Sequence, residues 1–343
     1  WDETNYDLKL AVCGNATCSA GNTITTVDGT GILDVGEYTS LELNASGFPV
    51  ISYYDSTNSD PKLVFCFNAT CTLNSNYSMD NVGVAGTYTS LELSPSGFPV
   101  ISYSAQGVGS PNLKIVICTN ANCTLGTRAT LDTAGGYYTS LEISSTGIPI
   151  ISYQGSLGTL KVAVCGDATC SAGNTTTVID AGPLVGRHSS LALDASGIPF
   201  ISYYDDGNGD LKIAACGNTT CSAGNGIATV DSAGNVGNST SLAINADGFP
   251  VVSYYDDGND DLKFMGVTSP VMAGYTLQPN YASGPTSFTV TFGEDVNNPS
   301  GDSGADDVTN PNNYKIIELG PNGVIDTASC AVALGGDDIL ITP

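Results

Sequence analysis

The chain repeats itself about every fifty residues, and each unit carries the same elements in the same order: Ser-Leu-x-Leu, a Gly-x-Pro turn, Ile-Ser-Tyr, Leu-Lys and Cys-x4-Cys. The Ile-Ser-Tyr element starts at Ile51, Ile101, Ile151 and Ile201, and a Val-Ser-Tyr version starts at Val252. A period of that length with several short strands per unit restricts the chain to stacked units, because one such unit cannot bury its apolar face alone. Propeller blades and solenoid coils are the candidates.

Residues 36–85 show the unit in full. Thr39–Leu43 alternates as a first strand, Asn44-Ala45-Ser46-Gly47 turns, and Pro49–Asp55 forms a second. After the loop Ser56–Asp60, Lys62–Phe67 and Cys71–Met79 give a third and a fourth. Links of four to six residues suit antiparallel hairpins, whereas solenoid coils run parallel. The expected fold class is therefore all-β, a β-propeller of four-stranded blades of about fifty residues.

The strand tally is uneven. First and second strands each occur five times, while the third occurs six times, at Leu8, Leu63, Leu113, Leu160, Leu211 and Leu262. Either the N-terminal third and fourth strands complete the last blade, making five, or a sixth blade draws strands from upstream. Five is the more economical count. In the last unit Val267 stands where the others have cysteine, as suits a strand leaving the ring.

Past Thr268 the grammar changes. Ser287–Phe292 alternates as a half-buried strand, an acidic loop follows, and further strands are expected at Tyr314–Glu318 and Ile339–Thr342. The expected organisation is a propeller over 1–267 and an immunoglobulin-like β-sandwich over 268–343. That second domain is short for its class, and Cys330 lacks a local partner, so it is expected to continue beyond Pro343.

The other ten of eleven cysteines form five identically spaced pairs: Cys13 with Cys18, Cys66 with Cys71, Cys118 with Cys123, Cys165 with Cys170, and Cys216 with Cys221. Each pair brackets a short polar turn that brings the sulfurs together. Zinc would need four ligands in one place, and a redox motif would need Cys-x2-Cys. Five disulfides place the chain in an oxidising, extracellular setting. Each closes a six-residue loop worth about 2 kcal/mol in the chain-entropy model. Eight Asn-x-Ser/Thr sequons agree with export and make glycosylation a candidate modification. The first residue, Trp1, is not Met, which fits processing or truncation.

The net charge of −25 repels nucleic acid and anionic lipid and favours cations. No run of 18 apolar residues marks a membrane span.

The units Gly36–Lys62 and Gly186–Lys212 resemble repeats of bacterial exported proteins with a predicted β-propeller fold. Phe288–Ile316 is similar to Ig-like modules of large bacterial surface proteins. Both resemblances imply an exported multidomain protein and neither implies a reaction; the Cys-x4-Cys insertions depart from the commoner repeat.

Three sets of residues could carry chemistry. Loops between second and third strands hold Asp55, Asn58 and Asp60; Asp206, Asn208 and Asp210; and Asp257, Asn259 and Asp261. Asp-x-Asn-x-Asp resembles the start of an oxygen-rich calcium loop, without its closing Glu, and a plain turn needs the same residues. Calcium is the one candidate cofactor, and Asp302, Asp306 and Asp307 form a similar loop. Six lysines at the start of the third strands are read as structural, pairing across the hairpin with Asp55, Asp205 or Asp256. Finally, Tyr38, Tyr88, Tyr138, His188 and Ser239 share one position, two residues after the glycine that precedes each first strand. Aromatics there could stack on a sugar or peptide, or simply pack between blades.

With a single His and two Arg, triad and sialidase-like chemistries lack residues. The expectation is a structural or adhesive component of a cell-surface layer or filament and not an enzyme, partnered by itself or other surface proteins. The alternative is a carbohydrate- or peptide-binding, lectin-like propeller with glycans as partners.

Overall fold

The computed structural model describes residues 1–29, 33–80, 83–106 and 110–266, and four short strands beyond. The chain divides into two compact units, Trp1–Val267 and Thr268–Pro343. Among the described residues every regular element is a strand.

The first unit opens with an antiparallel pair, β1 (Leu8–Val12) and β2 (Thr23–Asp28). A four-stranded sheet follows, β3 (Val35–Leu43), β4 (Pro49–Asp55), β5 (Asp60–Cys66) and β6 (Asn74–Ser78), each strand beside its sequence neighbour. The next sheet is β7 (Ala85–Leu93), β8 (Pro99–Ala105), β9 (Asn112–Cys118) and β10 (Gly126–Asp132). Then come β11 (Gly135–Ile143), β12 (Pro149–Gly155), β13 (Leu160–Val164) and β14 (Thr175–Asp180). The fourth full sheet is β15 (Val185–Leu193), β16 (Pro199–Asp205), β17 (Asp210–Ala215) and β18 (Gly226–Asp231). A three-stranded sheet, β19 (Val236–Ile244), β20 (Pro250–Asp256) and β21 (Asp261–Gly266), ends the unit. In the second unit β22 (Met272–Tyr275) pairs with β23 (Val290–Phe292), and β24 (Ile316–Glu318) with β25 (Ile339–Ile341). The remaining expectations for 268–343, including Asp302, Asp306, Asp307 and Cys330, lie outside the described residues, as does Val267.

Local chemistry accounts for the blade. The Asn44 side chain accepts from the N–H groups of Ser46 and Phe48, turning β3 back into β4. Proline opens every second strand, where its missing N–H matters least. The Ile-Ser-Tyr strand is then buried on both faces, and Tyr53, Tyr103, Tyr153 and Tyr203 are each 0% exposed. Continuous burial of this kind needs a neighbour on either side. Successive blades supply it: one core joins Leu63 and Phe65 to Leu91 and Ile101 of the next blade. Glycines mark the closest approach between blades. A Cβ on Gly86, at φ 107°, would lie 2.4 Å from the Pro61 nitrogen.

All five expected disulfides form. Cys13 joins Cys18 and Cys66 joins Cys71 at a Cα–Cα distance of 4.7 Å, Cys118 joins Cys123 and Cys216 joins Cys221 at 4.8 Å, and Cys165 joins Cys170 at 4.9 Å. A single tight turn accounts for each closure. The N–H groups of Cys18, Cys71, Cys123, Cys170 and Cys221 donate to the carbonyl three residues earlier at 3.0–3.2 Å. What the spacing did not show is the backbone at the second cysteine. Cys18, Cys71, Cys123, Cys170 and Cys221 all lie in the left-handed region, with φ between 49° and 54°.

The five-blade closure expected above is not what forms. The edge of β20 that β1 would occupy is taken by β21, and β1 pairs with β2 alone. The physical reason is local: Asp256 and Asp261 close a four-residue hairpin, far less costly than recruiting the distant terminus.

Candidate functional site

In every blade the first strand carries an extra residue. Between Tyr137 and Ser140 the strand advances three residues while its partner advances two, from Gln154 to Ser152, so Tyr138 is bulged. The same shift recurs in the blades of Tyr38, Tyr88, His188 and Ser239. All five residues adopt the left-handed conformation, with φ between 50° and 56°. That geometry is unfavourable for an L-residue with a side chain, and its repetition five times calls for a compensating network.

The network is a relay between blades. Ser102 Oγ donates to Thr139 Oγ1 at 3.0 Å, and Thr139 donates onward to the carbonyl of bulged Tyr88 at 2.6 Å. The Leu141 N–H donates to Ser90 Oγ at 3.0 Å. Thr89, Ser189 and Thr240 repeat the arrangement on Tyr38, Tyr138 and His188. The Thr-Ser-Leu grammar is therefore an inter-blade device that holds each bulge in place.

The bulges bring the predicted aromatic set together. Ring centroids lie 4.5 Å apart for Tyr38–Tyr88 and for Tyr88–Tyr138, and 4.4 Å for Tyr138–His188, all tilted by 45–50°. Four consecutive blades thus present one stacked aromatic arc. Burial and the neighbouring phenols push the Tyr88 hydroxyl up, keeping it a donor. Burial, with adjacent Arg187, pushes His188 down toward neutral imidazole.

Around the arc the blades stop being alike. The residue before each bulge is Glu37, Thr87, Tyr137, Arg187 and Asn238 in turn. An open cavity of about 360 Å³ lies there, lined by Tyr88, Tyr137, Tyr138, Gln154 and Arg187 among others. Arg187 also pairs with Asp206 at 3.1 Å.

A second set on the same strands escaped the sequence reading. Glu42, Glu92 and Glu142 follow their bulged tyrosines by four residues, about 13 Å along a strand. Burial raises all three carboxyls, and mutual repulsion adds to it at Glu92 and Glu142, which reach about 8 and about 7. The Ser-Leu-Glu spacing was visible in sequence; that the three strands lie side by side was not.

The acidic loops take a different register from the one expected. Asp55 accepts from Asn58 through both the backbone N–H (2.9 Å) and the side-chain amide (2.8 Å), and it pairs with Lys62 at 2.6 Å. Asp205 with Asn208 and Asp256 with Asn259 match it, whereas Asp206 and Asp257 point elsewhere, to Arg187 and Asn235. The Asn58, Asn208 and Asn259 amides donate within the turn. Asp60 accepts from Ser78, and Asp210 and Asp261 pair in register with Asp205 and Asp256. Among the described residues no group of three His, Cys, Asp or Glu side chains is arranged to hold a metal.

Lys62, Lys212 and Lys263 pair across their hairpins as expected, with Asp55, Asp205 and Asp256, and also across blades; Lys114 and Lys161, whose hairpins carry Ala105 and Gly155 at that position, pair across blades instead. Lys212 reaches Asp205 at 3.3 Å and Asp180, on the preceding blade, at 2.8 Å. Asp180 accepts from Tyr203 too. Asp28, Asp80, Asp132 and Asp231 do the same for the other Tyr–Lys pairs. The disulfides lie apart from this chemistry, since each of Cys18, Cys71, Cys123, Cys170 and Cys221 is bonded to the cysteine five residues before it and none is left as a free thiol.

The sequence matches no protein-family model and no curated protein. Solved structures of similar fold include the Hadza microbial sialidase Hz136, at TM-score 0.49 and 10% identity over 72% of this chain and 63% of that one. A thermostable family-43 glycoside hydrolase gives 0.44 and 12%, over 75% of this chain and 97% of that one. The endo-arabinase of Bacteroides thetaiotaomicron gives 0.42 and 10%, over 68% and 94%. The chain spans less than two thirds of the sialidase. Its repeated four-stranded blades thus resemble those of propeller-type glycoside hydrolases. Two expectations are corrected here, that of a structural or adhesive component and that of a chain that is not an enzyme: the solved structures found by likeness of fold are a sialidase and glycoside hydrolases, and neither expectation is carried further.

Proposed function

We propose that this chain binds carbohydrate on the face that carries the bulged aromatics. The observation that carries the reading is the stacked arc Tyr38–Tyr88–Tyr138–His188, a continuous aromatic platform beside an open cavity with Gln154 and Arg187 at its wall. Sugar rings lay their C–H faces on such platforms, and amide and guanidinium groups take up hydroxyls. The unlike residues around the arc would select among sugars where the repeated framework cannot. A glycan array probed with the intact chain tests this. Binding to a defined subset is expected, with a loss of tenfold or more for Tyr88→Ala and for Tyr138→Ala in folded protein. Absence of any glycan ligand, or indifference to both substitutions, would remove the proposal.

A second reading rests on Glu92 and Glu142. Carboxyls held near or above neutrality are still partly protonated in water, as a general acid for glycosidic cleavage must be. Release of aryl alcohol from a panel of aryl glycosides, abolished by Glu142→Gln, would support hydrolysis; turnover unchanged in that variant would remove it.

The same reading extends to the architecture: blades arranged around one axis as a β-propeller, an Ig-like sandwich over 268–343, and an extracellular location in keeping with the five disulfides.

A further inference from the structure

The second strands end in Tyr-Asp at Tyr54-Asp55, Tyr204-Asp205 and Tyr255-Asp256, but two consecutive ones end in Ser104-Ala105 and Gln154-Gly155. Register fixes where that tyrosine belongs. Tyr54, Ser104, Gln154, Tyr204 and Tyr255 pair in turn with Glu37, Thr87, Tyr137, Arg187 and Asn238, the residues that precede the bulges. Where the tyrosine is kept beside a following blade, it fills the space. Tyr54 and Tyr204 are 8% and 6% exposed; the Tyr54 ring lies 6.3 Å from that of Tyr38, and the Tyr204 hydroxyl donates to Asn235 Oδ1, ahead of the next blade.

Where the tyrosine is replaced, the structure is open. A cavity of about 390 Å³ is lined by Val84, Thr87 and Ser104, and by Tyr137 of the following blade, among others. The cavity of about 360 Å³ beside the arc stands in the same relation to Gln154, Gly155 and Arg187 one blade on. Gln154 does not close it, because its amide is held by the Val185 carbonyl at 2.8 Å. Each volume lies within the ~300–1,000 Å³ of small-molecule sites. Tyr137 lines both cavities and divides them. Its ring is exposed and meets Tyr88 edge-on, with centroids 6.0 Å apart, so the divider is continuous with the aromatic arc.

Neither cavity offers a free charge. Among the described residues the first is lined by no carboxylate, ammonium or guanidinium, and in the second Arg187 already pairs with Asp206 at 3.1 Å. The net charge of −25 opposes an anion as well.

We propose that the two cavities are adjoining subsites for one neutral oligosaccharide, with successive rings on either side of Tyr137. The inference rests on the carbohydrate-binding reading above and adds a minimum length of two rings. Thr87 and Ser104 present hydroxyls in one subsite, and Gln154 keeps its amide oxygen as an acceptor in the other. A second ring joined to one already held binds at high effective concentration, so affinity rises with chain length. A monosaccharide leaves one subsite empty.

Isothermal titration calorimetry of the intact chain tests this with cello-, manno-, xylo- and arabino-oligosaccharides, from monosaccharide to hexasaccharide. In the series that binds, the trisaccharide should bind at least tenfold more tightly than the monosaccharide. Ser104→Tyr and Gln154→Tyr, each restoring the repeat's own residue, should erase that gain. Tyr137→Ala, on an exposed side chain, should erase it without entering the packed interior. Equal affinity for mono- and trisaccharide overturns the two-subsite inference, as does trisaccharide affinity unmoved by Ser104→Tyr in folded protein; the reading beneath it stands if Tyr88→Ala still abolishes binding. Preference for oligogalacturonates over every neutral series overturns the neutral assignment. Binding of no saccharide at all removes the reading and the inference together.

Discussion

Replacing Asp180 with Ala isolates the contribution of one inter-blade ion pair. Its Oδ2 accepts from Tyr203 at 2.7 Å and from Lys212 at 2.8 Å, and the residue is 9% exposed. Hydrogen bonds to a charged group contribute about 1.5–3 kcal/mol each, so two would sum to about 3–6 kcal/mol. Asp205 remains 3.3 Å from the Lys212 ammonium, which keeps the buried cation partly compensated and sets the expected loss at the low end, about 3 kcal/mol. Denaturant unfolding at pH 7 measures it, and the cycle with Lys212→Met should return a coupling of about 1–3 kcal/mol. The pH dependence adds an independent check. Burial raises the Asp180 carboxyl, but Lys212, the Gly182 N–H and Tyr203 outweigh it and hold it below the usual carboxylate range. Its stabilisation is therefore present above the unfolded value, near 4, and is lost as pH falls through the lower folded value. The gap between wild type and Asp180→Ala should therefore close as pH falls below the unfolded carboxylate range. A loss under about 1 kcal/mol at pH 7, or a gap unchanged in acid, would refute the account of the latch.

Three further outcomes follow from the same geometry. Because Glu92 and Glu142 are raised to about 8 and about 7, the stability they permit is full in acid and lost as pH rises through those values; unfolding midpoints should fall between about pH 5 and 9, and the double Gln substitution should flatten that slope. Tyr138→Gly should be more stable than Tyr138→Ala by about 1 kcal/mol, because glycine alone is at ease in the left-handed bulge, while both lose glycan binding; equal stabilities by thermal melting would argue against strain there. Thr139→Val removes a donor to the Tyr88 carbonyl and an acceptor for Ser102, and should cost about 1–3 kcal/mol in denaturant unfolding.

What could be read from sequence was what is local. The six third strands, the Gly-x-Pro hairpins and the cysteine pairs depend on residues a few positions apart, and each formed where its spacing put it. The aromatic set at Tyr38, Tyr88, Tyr138 and His188 was also legible, because the repeat itself aligns them. The relay and the Asp28, Asp80, Asp132, Asp180 and Asp231 latches were not. Each joins residues roughly twenty to fifty positions apart on different sheets, and hydrophobic alternation within one unit says nothing about which side chain of the next unit faces it. The acidic loops show the opposite error: Asp206 and Asp257 were chosen for their spacing to Asn208 and Asn259. The backbone instead turns on the preceding aspartate, whose carboxylate reaches the Asn amide three residues on.

The sameness of the four junctions bears on how such a chain comes to fold correctly. If every blade offers its follower the same hydroxyl relay and the same aspartate, a partner one period too far along the chain, or from a neighbouring molecule, is nearly as acceptable as the right one. Misassembly in crowded solution would then be set by proximity during synthesis more than by energy. The five disulfides cannot correct it, since each closes within its own hairpin. Only the exceptions distinguish one junction from another, such as Arg128 reaching the Met79 carbonyl of the blade before it, and engineered chains that erase such exceptions in favour of a consensus blade should refold with more scrambled order.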